Sequence, residues 1–137
     1  MTTRIPNKPR APIERTEHPH IVKSADTLGG EPRIEDTRIP VLQVFEMVEG
    51  GISVGEIIAG FPDLTRAQIH DAVSYGYDHP DEMAYYRERG KLRSIMRDHD
   101  LVKVNSFLIP RTHLKPSDIP EGATVYSWET LPPQEDE

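Results

Sequence analysis

Apolar residues between positions 41 and 77 fall into three successive helical stripes. Val41, Val44, Phe45 and Val48 recur at i, i+3, i+4 and i+7, the spacing that lines one face of an α-helix. Gly50-Gly51 ends that helix, and Pro40 suits its first turn, where a missing N–H loses nothing. Ser53-Val54-Gly55-Glu56 has the S-x-x-E form of a capping box. It opens a second, short helix with Ile57 and Ile58 facing inward, which Gly60-Phe61-Pro62 closes. Thr65-Arg66-Ala67-Gln68 repeats the start signal, and Ile69, Ala72, Val73, Gly76 and Tyr77 make the buried stripe of a third helix.

Upstream the period shortens. Ile21-Val22 is a short strand candidate, Asp26 to Gly30 a turn, and Pro32 to Ile39 a tight hairpin with Ile34 and Ile39 on its apolar face. Its turn is Glu35-Asp36-Thr37, where aspartate tolerates left-handed backbone. Downstream, residues 81–99 read as helical, with Tyr85, Leu92, Ile95 and Met96 on one side and Gly90 as a candidate break. Leu101 to Val104 and Thr124 to Trp128 read as strands separated by a proline-punctuated loop. Residues 1–17, with prolines at 6, 9 and 12, predict a disordered arm, and residues 131–137 a disordered acidic tail. The predicted fold is mainly α with a small β hairpin. Residues 18–79 form a three-helix helix-turn-helix unit, and 80–130 a helical and then strand-like extension.

Composition agrees with tails that pack little: 36% of residues are hydrophobic, and 13 of 137 are proline. With no cysteine, disulfides and thiolate metal sites are excluded, and a cytoplasmic protein is expected. No apolar run approaches the ~20 residues of a membrane span, so no membrane partner is expected.

Two short helices joined by a tight turn and packed on a preceding helix meet the needs of a helix-turn-helix, whose second helix enters the major groove. The reading helix here would present Arg66, Gln68, His70, Asp71 and Ser74, and the orphan amides from Thr65 to Gln68 offer a phosphate grip. The net charge of −7 opposes this, since phosphate neutralisation supplies most nonspecific affinity. Residues 18–79 carry ten acidic and four basic side chains, a balance of −6. A DNA reader and a plain structural three-helix unit both remain open on spacing alone. Arg38 is open between DNA contact and a tie from the hairpin to a carboxylate such as Glu46.

Arg89, Arg93 and Arg97 recur every four residues beside the apolar side of the 81–99 helix. With Tyr85, Leu92 and Met96 they suit a face that docks a protein partner, although nucleic-acid contact or pairing with neighbouring acids would also use them. His18-Pro19-His20 and Asp98-His99-Asp100 have ligand chemistry without a companion at ligand spacing, so surface histidines, no metal and no cofactor are expected. No phosphate loop, nucleophile elbow or cysteine nucleophile is present, and no enzyme is expected.

Residues 18–79 resemble a small prokaryotic family known as domain of unknown function number four hundred and thirty-three. The resemblance is carried by His18-Pro19-His20-Ile21, then Gly29-Gly30-Glu31-Pro32-Arg33-Ile34-Glu35-Asp36-Thr37-Arg38-Ile39-Pro40-Val41. Gly51 to Ile57 with Ser53 and Glu56, and Phe61-Pro62-Asp63-Leu64-Thr65, complete it. Asp36 stands where the family usually has glycine, and residues 80–137 extend beyond its short members. The resemblance implies a homeodomain-like helix-turn-helix and an antitoxin to a nuclease-like toxin of PIN type; acting by occupancy, a homodimer with two reading helices about one DNA turn apart would repress its own promoter.

Overall fold

The strand Ile21–Lys23 (β2) sits at the centre of a three-stranded antiparallel sheet, between Glu14–Arg15 (β1) and Arg33–Ile34 (β3). The computed structural model describes residues 11–134. The chain divides into two compact units, residues 1–79 and 80–137.

In the first unit the register pairs Glu14 with Lys23, Arg15 with Val22, Ile21 with Ile34 and Val22 with Arg33. Residues 14 and 15 were expected in the disordered arm but form an edge strand: Arg15 ion-pairs with Glu35, and the Thr16 hydroxyl donates 2.8 Å to the Ile21 carbonyl. A two-residue strand is too short to show alternation in sequence, so only its partner reveals it. Residues 1–10 of that arm lie outside the described residues.

The expected hairpin is a tight return. Ile34 N–H donates to the Ile39 carbonyl, Thr37 N–H donates to the Ile34 carbonyl, and Asp36 takes φ 63° at the turn. Pro40 is the N-cap rather than the first helical residue of Val41–Glu49 (α1). Val54–Gly60 (α2) and Arg66–Asp78 (α3) follow. Ser53 accepts from the Glu56 amide, but the Glu56 carboxylate takes the serine hydroxyl instead of completing the box. At Thr65 both arms of the box form: Gln68 N–H donates to Thr65 Oγ1 at 3.1 Å, and Thr65 N–H donates to Gln68 Oε1 at 2.8 Å.

Ile21, Ile34, Val41, Val44, Ile57, Leu64, Ile69, Ala72 and Tyr75 build one core beneath the three helices. Each fully buried aliphatic contributes about 1.5–3 kcal/mol. Tyr77, expected inside, is 62% exposed, while Tyr75, not expected there, is buried. The cause is the close approach of α1 and α3: a Cβ on Gly76 would strike the Phe45 ring, so no bulk fits there. Tyr77 instead lies edge-on to Phe45 and donates to Glu49 from the surface.

The second unit begins with one helix, Pro80–Asp98 (α4), unbroken at Gly90. Asp100 at φ 48° turns the chain into Leu101–Val104 (β4), which pairs antiparallel with Phe107–Pro110 (β5) and Val125–Tyr126 (β6) in the order β5-β4-β6. β5 falls in what the sequence predicts as loop, because Phe107 and Leu108 are exposed and its proline closes the strand. Among the described residues, four α-helices and two three-stranded sheets make this a mixed α/β fold, not a mainly α fold with one hairpin. Both missing contributions are strands of two to four residues, held by pairing and not by a hydrophobic pattern.

Met83, Tyr86, Met96, Val102, Val104 and Leu131 are the buried apolar residues of this unit. The Arg89 guanidinium, 5% exposed, lies 4.5 Å from the centre of the Tyr86 ring and donates to the Pro132 carbonyl. The Tyr85 hydroxyl donates to the same carbonyl, and Gln134 N–H donates to Tyr86 Oη. Residues 131–134 are thus tied to α4 rather than forming the start of a free tail; 135–137 lie outside the described residues.

Candidate nucleic-acid interface

Residues 61–65 connect α2 to α3, and both helices pack on α1. At the start of α3, Thr65, Arg66, His70 and Ser74 are exposed. Arg66, His70 and Ser74 stand four apart and so share one face. Arg38 is exposed as well and lines a cleft with Gly60 to Leu64, the turn that leads into α3. Among the described residues no ion pair joins Arg38 to Glu46, and the guanidinium stands beside the candidate surface.

Two of the expected reading residues are engaged elsewhere. Gln68 is half-buried and its side-chain oxygen is held by the Thr65 amide, so it serves the helix start. Asp71 is turned toward the sheet: Oδ2 accepts from His20 N–H at 2.8 Å, and Oδ1 lies 2.8 Å from His18 Nδ1. Its negative charge is withdrawn from the outer face.

His18, expected at the surface, is buried between the sheet and α3. Its Nε2 lies 2.8 Å from Asp78 Oδ2 and 3.8 Å from Glu17 Oε1, and Glu17 also contacts His79 Nε2. The His79 ring stacks on Tyr75 with centroids 4.1 Å apart. Burial lowers the His18 pKa, but the hydrogen bonds to Asp71 and Asp78 outweigh it and leave the pKa raised. The hydrogen bond from His79 lowers that of Glu17. The H-x-H pair had no companion at ligand spacing, and the hydrogen-bond partners of His18, Asp71 and Asp78, are 53 and 60 residues away in sequence. Only the i, i+4, i+8 placement of Asp71, Tyr75 and His79 on one helix could have hinted at it.

The residues expected to bind a protein partner divide. Arg89 and Arg93 are used inside their own unit, Arg93 Nε donating 3.2 Å to the Trp128 carbonyl. Tyr85 is half-buried on Pro132, Leu92 is half-buried, and Met96 is in the core. Arg97 is exposed and pairs with Asp98, while Asp100 of the second acid-histidine group pairs with Arg111.

No helix among the described residues is long and apolar enough to cross a membrane. No curated protein matches the chain. Among solved structures it is similar to the crystal structure of a DUF433 member protein from Anabaena variabilis, at 28% identity and a TM-score of 0.47. That similarity covers 49% of this chain and 66% of the other. Residues 21–76 match the family model described as a protein of unknown function, DUF433. That match runs from β2 through most of α3, the part of the chain that carries the sequence resemblance to the same family.

Proposed function

We propose that the first unit binds double-stranded DNA by its α3 surface and that the protein represses its own promoter as a homodimer. The observation that carries this is the exposed row of Arg66, His70 and Ser74 on a helix entered by a tight turn, with Arg38 beside that turn. The complete capping box occupies the amides of Thr65 and Gln68. Those of Arg66 and Ala67, at the first helical positions, remain available for a phosphate. Arg66 supplies the geometry for a guanine edge, and Arg38 the charge for the flanking backbone. The role of antitoxin against a PIN-type nuclease, with the second unit as docking part, is supported by the family resemblance.

A second reading, a protein-interaction module without DNA contact, is favoured by one observation. Of the four basic residues against ten acidic ones in 18–79, Arg33 is buried and gives nothing to a surface field. Fluorescence anisotropy on the protein's own promoter at graded salt separates the readings. DNA binding requires an affinity that falls with salt and is lost in the double variant Arg38→Ala, Arg66→Ala. No binding at low salt, or binding indifferent to both arginines, rejects it. Co-purification with the product of the adjacent gene tests the antitoxin role, and repeated absence of a nuclease-like partner counts against it.

A further inference from the structure

We propose that Glu17, His18 and His79 form a binding site for a transition-metal cation of the Zn²⁺ class, joining the segment before β2 to the end of α3. One oxygen and two imidazole nitrogens converge, with all three donor atoms within 4.8 Å of one another. Donors on a tetrahedral Zn²⁺ at ~2.0–2.1 Å lie about 3.3 Å apart, so the 3.8 Å between His18 Nε2 and Glu17 Oε1 needs only a small contraction. Glu17 is 58% exposed and is the side chain free to make it.

The surroundings of the two imidazoles match what ligating histidines need. His18 has a carboxylate, Asp71 Oδ1, 2.8 Å from its other ring nitrogen, the arrangement that fixes a ligating tautomer and raises its basicity. Asp71 is itself fixed by the backbone N–H of His20. His79 is oriented by its stack on Tyr75. It also caps the C-terminal end of α3, where the helix dipole favours a cation. Two imidazoles with one carboxylate select Zn²⁺ and its neighbours over Mg²⁺ or Ca²⁺, which prefer all-oxygen shells.

In the metal-free protein both ring nitrogens of His18 face carboxylates, so Nε2–H donates to Asp78 Oδ2. Metal binding replaces that N–H bond with an Nε2–metal bond and sends the proton to solvent. Asp78, 59% exposed, is then released or swings in as a fourth donor. Affinity consequently falls as pH falls.

The test is calorimetric titration of the tag-free full-length chain with Zn²⁺ after chelator treatment, alongside NMR of the histidine rings. Saturation at one Zn²⁺ per chain is expected, with the His18 and His79 resonances shifted and Mg²⁺ without effect. Because His18 is buried and its variants can misfold, His79→Gln and Glu17→Gln carry the test, each weakening Zn²⁺ by at least about tenfold while the far-UV spectrum is kept. His99→Gln, outside the site, retains full affinity. Absence of saturable one-to-one binding, or an affinity unchanged in His79→Gln, overturns the proposal.

Discussion

The Phe45 ring occupies the space where a side chain on Gly76 would begin: a Cβ built there would stand 2.7 Å from both Cγ and Cε1. This contact sets how closely α1 and α3 approach, and those two helices make the main packing of the first unit. Replacing Gly76 by alanine brings a gain of about 1 kcal/mol in helix propensity. It also forces the half-buried Phe45 ring to shift, and overpacking costs about 1–3 kcal/mol. At distances under 3 Å the steric term wins, and Gly76→Ala is expected to lower the urea midpoint. Phe45→Leu in the same chain should recover part of the loss, and a simple sum of the two single effects would refute the contact.

His18 makes the stability of the first unit depend on pH. A folded pKa above the unfolded value near 6.5 means that the folded state holds the proton more tightly. Its contribution is fully present below that unfolded value and is lost as pH rises through the higher folded value. Glu17 works in the opposite window. Its lowered pKa gives stability above an unfolded value near 4.5, lost as pH falls through the folded one. In chelator, urea midpoints should decline from about pH 6 toward alkaline pH, and His18→Gln should flatten that decline. An equal slope in the variant would show that another group titrates.

The start of α3 separates folding from recognition. Thr65→Ala removes a cap and should cost about 0.5–2 kcal/mol by chemical denaturation. Arg66→Ala, at an exposed site, should change stability by less than about 0.5 kcal/mol. It should nevertheless weaken DNA binding by about 1–3 kcal/mol and relax specificity at one base position, while Arg38→Ala should reduce the salt slope by about 1. If Arg66→Ala destabilises the protein as much as Thr65→Ala, the arginine is structural.

Arg33 is buried at 7% exposure, with Nη2 donating 2.9 Å to Ser24 Oγ, Nη1 donating to the Thr37 carbonyl, and Nε without an acceptor. Ser24→Ala strands a second nitrogen and should cost about 1–3 kcal/mol. Arg33→Met removes the charge together with its unmet demand, so it should cost less than Ser24→Ala. Thermal or urea unfolding of both variants decides the order, and the reverse order would mean that water already satisfies the guanidinium.

Helices were legible because their signals are local. The stripe Val41, Val44, Phe45, Val48 and the box Thr65 to Gln68 depend on neighbours within one or two turns, and α1 and α3 formed where those signals stand. The turn at Asp36 and the strands at Ile21 and Leu101 were equally local. By itself the sequence also carried the resemblance to the family over residues 21–76, through turn residues whose spacing is set by the backbone. Tertiary structure decided the rest. Strands β1 and β5 exist only because β2 and β4 offer them hydrogen-bonding edges. Helical periodicity assigned Tyr77 to the core; the approach of Phe45 to Gly76 put Tyr75 there instead. The gathering of Glu17, His18, Asp71, Asp78 and His79 joins groups at opposite ends of the unit, and no local spacing encodes a contact that only chain folding brings within 3 Å.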